Sequence, residues 1–346
     1  MERAVSPAVS VLVPVLNEER HLEDALSLMR AQEVPGGLEI LCIDGGSEDR
    51  SRSILSRVSA ADPRVRVFDN PARRTPQALN IGLREARGEY VARMDAHTWY
   101  PPDYLARGIE RLSRGDVAWV SGPQLAEGAG TWSRRVALAL ATPLGVGQAG
   151  FRRATEETEV DSGFTGVWRR STLVEQGGWD EGWPINQDGE LAARIRAAGG
   201  RIVCVPEMAA KYVPRDSLRA LGRQYWRYGQ YKAKTVGRHP TSMRRTHVLP
   251  PGVVLTIAAA LAPGPQRRLA RVGVAAWAAA LVATAVREGA RGASPSDAAA
   301  LPLVFATMHV AWGAGFLVGS AKFGPPTAAI LHALAPPRGD GDGAPR

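Results

Sequence analysis

Cysteine is scarce in this chain. Its 346 residues include only two, Cys42 and Cys204, and both lie in short apolar runs. Two buried thiols in a long chain favour a reducing compartment over a disulfide framework. A signal peptide is also missing, because the first apolar run, VSVLVPV, is too short and is followed at once by NEER. We therefore expect the soluble part of the chain to face the cytoplasm.

Glycine-rich phosphate loops are missing as well. No G-x-G-x-x-G follows the first predicted strand, and no G-x-x-x-x-G-K-[ST] occurs in the sequence. The first absence argues against a dinucleotide fingerprint, and the second argues against a P-loop. A ligand that carries phosphates must therefore be held by other groups.

Positive charge is concentrated in one segment. Between Lys211 and His247 there are ten lysines and arginines and one acid, Asp216, which accounts for the whole formal charge of +9. Such a segment could bind nucleic acid, an anionic substrate or a membrane surface. Because apolar runs follow it directly, we expect anionic membrane lipid and no nucleic acid as its partner.

Three apolar runs rich in Ala, Gly and Val follow. They cover residues 248–263, 272–286 and 299–321, and His309 is their only ionisable residue. The third is long enough to cross a bilayer, which needs about 20 residues. The second reaches that length only if the arginines before it snorkel. A soluble helical core is the alternative, but these runs lack the polar face of a surface helix.

The distribution of arginines suggests a topology. If the first run inserts only partly, Arg267, Arg268 and Arg271 stay on the cytoplasmic side, in agreement with the positive-inside rule. We therefore expect an integral membrane protein with two full spans and one partial insertion. The tail from residue 323 to 346 has the composition of a disordered segment.

The first 245 residues alternate between strand-like and helix-like patterns, which is typical of an α/β fold. The predicted strands are VSVLVPV (9–15), LEILCID (38–44), RVRVFDN (64–70), EYVARMD (89–95), DVAWVSG (116–122) and RIVCVP (201–206). The predicted helices are EERHLEDALSLMRAQ capped by Asn17, EDRSRSILSRVSA capped by Ser47, QALNIGLREARG opened by Thr75-Pro76 and closed at Gly88, and LAARIRAAGG. Ligands bind such sheets beyond the carboxyl ends of the strands.

Acidic residues lie where these strands end. Glu18 follows the first strand, Asp44 ends the second, and Asp95 ends the fourth and precedes His97 by two positions. A carboxylate cannot hold a diphosphate unless a cation lies between them, and Asp95 with His97 could supply two ligands to a divalent metal. The alternatives are a turn-forming role for Asp44 and a capping role for His97.

Five motifs in order resemble one enzyme family. VSVLVPVLNEE, CIDGGSEDRS, the D-x-H, NQDGEL and QYWRYG match family 2 glycosyltransferases of GT-A fold over residues 8–240. The likeness is strongest to the membrane-attached bacterial type that builds exopolysaccharide, such as succinoglycan glucosyltransferase. It implies a Rossmann-like mixed sheet flanked by helices and followed by a helical membrane region. The implied segments are a GT-A domain (1–210), a basic amphipathic juxtamembrane segment (211–247), transmembrane or re-entrant helices (248–322) and the tail (323–346).

The resemblance assigns the donor side of the site. It implies contacts with the nucleotide sugar from eight residues: Pro14, Leu16, Glu18, Asp44, Arg74, Asp95, Ala96 and Arg227. It also implies a metal held by Asp95 and His97, where His replaces the second Asp of the D-x-D motif. Because imidazole is a softer ligand than carboxylate, we expect Mn²⁺ to be preferred over Mg²⁺.

The resemblance also assigns the base and the acceptor side. Asp188 of N-Q-D-G-E would take the proton of the acceptor hydroxyl in an inverting displacement, and its place at a helix start favours the ionised form. Gln224-x-x-Arg227-Tyr228 resembles the Q-x-x-R-W motif, although the same residues fit an interfacial amphipathic helix. The implied acceptor contacts are Gly163, Phe164, Thr165, Gly166, Trp179, Gln224 and Tyr228.

These features predict an inverting, metal-dependent glycosyltransferase. It would move a hexose, with UDP-glucose as the family-level expectation, to a lipid-linked (polyprenyl) or glycan acceptor at the cytoplasmic face of the membrane. The alternatives are a sugar-phosphate nucleotidyltransferase and a non-catalytic membrane scaffold. The first normally has a glycine-rich loop after its first strand, which VLNEERH lacks.

Overall fold

The computed structural model describes residues 6–146 and 154–335. Within them, eight strands form one sheet in the order β3-β2-β1-β4-β9-β6-β10-β8, and three short strands form a second sheet in the order β5-β11-β7. The strands are β1 Val9–Val15, β2 Leu38–Asp44, β3 Val65–Asp69, β4 Tyr90–Arg93, β5 Thr98–Trp99, β6 Trp119–Ser121, β7 Gln124–Ala126, β8 Thr158–Glu159, β9 Gly166–Arg169, β10 Ile202–Cys204 and β11 Ala210–Tyr212.

The sheet is mixed, as the sequence predicts. Strands β3, β2, β1 and β4 are parallel, whereas β9 runs antiparallel to both β4 and β6. Every residue of β2 is buried, and β1 is buried except for the partly exposed Pro14. Such continuous apolar strands are covered by helices on both faces.

Helices α1 to α8 connect the strands; α5 and α6 pack against the C-terminal helices, and the others lie on the sheet. The helices are α1 Leu22–Arg30, α2 Ser51–Ala61, α3 Thr75–Glu85, α4 Tyr104–Ser113, α5 Thr131–Leu140, α6 Pro143–Val146, α7 Arg170–Glu175 and α8 Gln187–Ala197. In α1, Leu22, Leu26 and Met29 are buried at helical spacing and pack against the sheet.

The predicted helix boundaries are partly wrong. Helices α1 and α2 begin at Leu22 and Ser51, and neither Asn17 nor Ser47 caps them. Each of those two side chains instead bonds to the turn that follows the neighbouring strand. Helix α3 ends at Glu85, before the predicted Gly88, because Ala86 has extended backbone geometry.

The C-terminal part is helical. It contains α9 Leu218–Arg238, α10 Leu249–Leu261, α11 Arg267–Ala290, α12 Pro295–Phe323 and α13 Thr327–Leu334. Helices α11 and α12 are long and apolar enough to cross a membrane. The expectation of a disordered tail from residue 323 is wrong for residues 327–334, which form α13 and bury Ala329 and Ala333. Residues 336–346 lie outside the described part of the chain.

Helix α12 lies between two helical layers. Apolar side chains of α5 and α11, such as Val136 and Leu281, pack with Phe305 of α12. Helix α9 lies along α12 so closely that a Cβ on Gly229 would be 2.0 Å from the carbonyl oxygen of Trp312. Glycine at this position therefore allows the two backbones to meet.

Candidate active site

The turns after β1 and β2 hold each other at the carboxyl end of the sheet. The Asn17 N–H donates to Ser47 Oγ at 2.9 Å, and the Glu48 N–H donates to Asn17 Oδ1 at 2.8 Å. Asn17 has a positive φ of 57°, a conformation that Asn tolerates better than most residues. The Glu18 N–H donates to Ser51 Oγ at 2.8 Å, which holds the backbone from which the Glu18 side chain extends.

Asp44 forms the turn that the sequence left open as an alternative. Its buried carboxylate accepts hydrogen bonds from the Ser47 N–H (3.1 Å) and the Ser47 hydroxyl (2.6 Å). Its second oxygen lies 3.8 Å from Arg52 Nη1. Asp44 therefore shapes the rim of the site, and its predicted nucleotide contact stays a prediction.

The other predicted nucleotide residues lie around this rim. Pro14 is partly exposed near the end of β1, and Leu16 is 39% exposed just beyond it. The Arg73 guanidinium pairs with Glu48 at 3.0 Å. Arg74 is exposed at the start of α3 and has no ion pair within the described residues. Its side chain is therefore accessible to a ligand, and its predicted nucleotide contact stays a prediction.

Asp95 and His97 lie in the turn after β4. The Asp95 N–H donates to the Tyr100 hydroxyl at 2.8 Å, which closes the turn, and Ala96 is buried. His97 Nδ1 lies 3.1 Å from Glu18 Oε1. Burial lowers the pKa of His97, but the Glu18 hydrogen bond and the Asp95 charge outweigh it, so the net shift is upward.

The donor set fits a metal whose shell is completed by a ligand. With Nδ1 held by Glu18, His97 keeps Nε2 for coordination, as metal-binding histidines commonly do. Asp95 keeps lone pairs on both oxygens, because a carboxylate offers about four acceptor positions. Among the residues that the structure describes, no three His, Cys, Asp or Glu side chains group into a metal site. These two residues could supply only part of a metal's coordination shell.

Arg93 is a candidate functional residue that the motifs did not reveal. It ends β4 with a buried guanidinium, which donates to Asp95 through Nε (2.8 Å) and Nη2 (3.0 Å). Its Nη1 donates to both oxygens of Asp188 at 2.8 Å. A charged residue within a buried strand needs an oppositely charged partner. The Arg in EYVARMD therefore indicated a buried ion pair.

Asp188 lies in the first turn of α8, as predicted, but its electrostatics differ from the expectation. Burial raises the pKa of Asp188 above the usual value for Asp, even though the Arg93 charge lowers it. The position of Asp188 at the N-terminus of α8 therefore does not determine the direction of its pKa shift. A buried carboxylate with a raised pKa is a stronger base once it is ionised.

The predicted acceptor wall lies beside Arg93. In the antiparallel pair of β4 and β9, Arg93 is opposite Gly166. The Phe164 ring centroid lies 5.5 Å from the Arg93 guanidinium carbon, and the Thr165 hydroxyl lies 3.3 Å from the Tyr104 hydroxyl. A Cβ on Gly163 would be 2.6 Å from a side-chain oxygen, so the wall is tightly packed.

Trp179 does not fit its predicted role as a sugar contact. It is 1% exposed, and its ring packs edge-on against Trp168 at 5.8 Å. A buried ring has no face to offer a sugar. Trp179 instead belongs to the apolar core beneath the site, together with Trp168 and Leu191.

Helix α9, which carries the Q-x-x-R-Y motif, is anchored next to Asp188. The Thr235 hydroxyl accepts from Trp183 Nε1 (2.9 Å) and Asn186 Nδ2 (2.8 Å) in the loop before α8. Tyr228 lies seven residues earlier on the same helix face, or about 10 Å along the axis. The Gln224 amide donates to the Tyr228 hydroxyl at 2.8 Å, so these two residues form one unit.

Arg227 lies elsewhere. It lines an open groove of about 540 Å³ between α9 and α12, together with Trp226 and Ala311. Among the described residues, Arg227 forms no ion pair with Asp95 or Asp188, and its predicted contact with the diphosphate stays a prediction. Arg215 is better placed, because its charge lowers the pKa of His97. In addition, β11 pairs Tyr212 with Thr98, which brings the next residues alongside the D-x-H turn.

Comparisons with known proteins identify the family of this chain. The chain is 33% identical over 321 residues to the succinoglycan biosynthesis protein ExoA of Rhizobium meliloti, a match that covers 91% of this chain and 96% of that protein. The chain belongs to glycosyltransferase family 2. Residues 10–175 match the family model described as glycosyl transferase family 2.

Two further matches place this family member. An undecaprenyl-phosphate 4-deoxy-4-formamido-L-arabinose transferase of Pseudomonas aeruginosa is 34% identical over 111 residues, which are 31% of this chain and 33% of that protein. The fold resembles that of a mannosyltransferase from Pyrobaculum calidifontis, solved with GDP-Man and Mn²⁺, with a TM-score of 0.52 and 23% identity over 92% of this chain and 87% of that one. The chain is thus a GT-A glycosyltransferase related to enzymes of exopolysaccharide and lipid-linked sugar synthesis.

Proposed function

We propose that this family 2 enzyme is an inverting, metal-dependent hexosyltransferase. The observation that carries the proposal is the buried Arg93, which joins Asp95 and Asp188 across one guanidinium. The group proposed to face the diphosphate and the group proposed to act as base are therefore held next to each other. A single displacement needs this arrangement, because nucleophile and leaving group lie on opposite sides of one anomeric carbon.

Asp188 is proposed to act as the base. The acceptor oxygen forms a bond to the anomeric carbon, its proton passes to a carboxylate oxygen of Asp188, and the bond to the nucleoside diphosphate breaks. Direct displacement inverts the anomeric centre. Arg93 holds the Asp188 carboxylate in place through two 2.8 Å hydrogen bonds, and Phe164 lies over the same guanidinium as a wall of the cavity.

Asp95 and His97 would hold the divalent metal. When bound, such an ion neutralises charge on the departing diphosphate. Glu18 is proposed to orient the His97 ring rather than to contact the nucleobase, because its carboxylate lies 3.1 Å from Nδ1. The mixed Asp and His donor set supports a preference for Mn²⁺ over Mg²⁺.

The donor and acceptor are proposed from the relatives. The match to the succinoglycan protein covers almost the whole of both chains, which supports a role in exopolysaccharide or envelope glycan synthesis. The match to an undecaprenyl-phosphate sugar transferase supports a polyprenyl-linked acceptor. A UDP-hexose, with UDP-glucose tried first, is the proposed donor. The C-terminal helices would attach the enzyme to the cytoplasmic face of the membrane.

The test is a screen of nucleotide sugars with the purified full chain, read out as release of nucleoside diphosphate. We expect turnover with Mn²⁺, less turnover with Mg²⁺ and none in excess EDTA. Asp188→Asn should abolish turnover and leave donor affinity nearly unchanged, while Asp116→Asn, an exposed acid of the ion pairs at the far side of the fold, should behave like the wild type. Full turnover in EDTA would refute the metal, and retained turnover in Asp188→Asn would refute the base.

A further inference from the structure

Both ends of the apolar helix α12 are held by the globular part of the protein. Near its start, Asp297 pairs with Arg135 of α5 at 3.0 Å, and both side chains are about one-fifth exposed or less. At its end, the Phe323 ring centroid lies 5.5 Å from Lys234 Nζ of α9. Lys234 also donates to the Gly182 carbonyl at 2.7 Å, in the loop that leads to Asp188. Each end of α12 is therefore tied to the catalytic domain.

These ties conflict with a crossing of the bilayer. Helix α12 has 29 residues and is about 43 Å long, whereas the hydrocarbon core of a bilayer is about 30 Å thick. If α12 crossed, Asp297 and Phe323 would lie on opposite sides of the membrane. Arg135 and Lys234 would have to follow them, yet both ends of α9 are held to the globular part. Asp216, just before the start of α9, accepts from the Ser133 N–H at 2.8 Å, and Thr235, near its end, accepts from Asn186 Nδ2 at 2.8 Å.

Helix α9 leaves no room for lipid on its side of α12. A Cβ on Gly315 would lie 2.1 Å from the Trp226 carbonyl oxygen, and one on Gly229 would lie 2.0 Å from the Trp312 carbonyl oxygen. Insertion of α12 would therefore carry α9 into the hydrocarbon together with Arg223 and Arg227. Each arginine at the bilayer centre costs about 2.5 kcal/mol or more.

The outer side of this helical layer is apolar and exposed, and within α11 the buried residues are Ala270, Leu281, Ala285 and Glu288. On α10 and α11 the side chains of Leu255, Leu269, Val272, Val282 and Val286 are all more than half exposed. Arginines flank these apolar residues at both ends of α11. They are Arg267, Arg268 and Arg271 at its start and Arg287 and Arg291 at its end. Exposed apolar surface bordered by cations at both ends complements an anionic lipid surface.

We propose that the C-terminal helices lie in the plane of the membrane and that none of them crosses it. The exposed face of α10 and α11 would enter the interface, α12 would form the middle layer, and α9 would connect this layer to the active site. The expected partner is a bilayer surface that contains anionic lipid. This arrangement differs from the two full spans expected from composition, and it rests on the proposed membrane attachment but not on the proposed reaction.

The side of the membrane reached by the turn between α11 and α12 decides the question. We would place a single cysteine at the exposed Ser296, in the first turn of α12 directly after this connection, and in a second variant at the exposed Ser56 on α2. In both variants Cys42 and Cys204 are replaced by serine. An impermeant maleimide is then applied to intact spheroplasts and to inverted membrane vesicles. We expect both variants to react only in inverted vesicles. Reaction of Ser296→Cys in intact spheroplasts would overturn the proposal.

Two further measurements test whether the C-terminal helices lie in the membrane plane. A double variant, Arg135→Cys with Asp297→Cys, should be joined by a short bismaleimide in native membranes, and failure to join in folded protein would contradict the arrangement. The full chain should also float with vesicles of phosphatidylethanolamine and phosphatidylglycerol, and less with neutral vesicles. A soluble dimer that covers α11 and does not bind vesicles would assign this face to a second copy instead. None of these readouts depends on glycosyl transfer.

Discussion

Among the described residues, Arg93 is the side chain that joins the two proposed functional carboxylates, Asp95 and Asp188, and replacement by Met removes this connection. The buried guanidinium donates two hydrogen bonds to Asp95 and two to Asp188. Without it, two buried carboxylates lack a counter-charge, and removing one partner of a buried ion pair costs about 3–5 kcal/mol. This is a large part of the roughly 5–15 kcal/mol by which domains are stable. We expect such a loss at pH 8.

The penalty should depend on pH. Burial already raises the pKa of Asp188 in the folded protein, and the loss of Arg93 would raise it further. A carboxyl group whose folded pKa exceeds its unfolded pKa stabilises the fold at low pH, and that stabilisation is lost as pH rises through the folded pKa. The cost of Arg93→Met should therefore shrink from pH 8 to pH 5. Arg93→Lys keeps the positive charge but cannot form the paired hydrogen bonds of a guanidinium. It should therefore be more stable than Arg93→Met and less stable than the wild type.

The assay is urea unfolding of the purified full chain at pH 5 to 8, with wild type in parallel. Arg111→Met is the matched control, because Arg111 also joins two carboxylates, but Asp116 and Glu157 are 46% and 40% exposed. Because water solvates both carboxylates when Arg111 is lost, Arg111→Met should lower the free energy of unfolding by about 1 kcal/mol, and this loss should change little with pH. The reasoning fails if Arg93→Met unfolds like wild type at pH 8, or if its cost is the same at pH 5.

Three further outcomes are expected. The acid limb of the transfer rate, measured from pH 4 to 8 at saturating donor, should lie above the usual pKa range of an Asp because burial raises the pKa of Asp188, and a limb at pH 4 or below would contradict this. His97→Ala should weaken Mn²⁺ binding by about tenfold or more in calorimetry, and unchanged binding would exclude His97 as a ligand. Gly229→Ala should lower the free energy of unfolding because α9 must move from α12, whereas Gly237→Ala, which meets open space, should raise it by up to about 1 kcal/mol.

The sheet and its order of elements could be predicted because the strands are strongly patterned. The bounds of β1 and β2 agree with the predicted runs, since continuous apolar segments between turn residues leave few alternatives. The three strands of the small sheet have only two or three residues each, which is too short for a periodic pattern. The pairing of β11 with β5, and with it the position of Arg215, was therefore unreadable from the sequence.

The candidate site could be predicted only residue by residue. Asp95, His97 and Asp188 were found from motifs, but the hydrogen bonds that join Arg93 to Asp188 link residues 95 positions apart. Local pattern does not show such a pair. Composition likewise identified α12 as apolar but could not show that α9 covers one side of it through Gly229 and Gly315. Burial by a distant helix depends on packing, which is a property of the folded chain.

The stereochemistry of transfer tests the central claim most directly. The wild-type enzyme, with Mn²⁺ and an α-linked nucleotide hexose, would be followed by ¹H NMR while the sugar passes to an acceptor or to water. If Asp188 directs one displacement at a carbon held beside Asp95, the first product must be the β-anomer. A first product with the α configuration would require a second displacement or a different path, and the proposed roles of Asp188 and Arg93 would then be wrong.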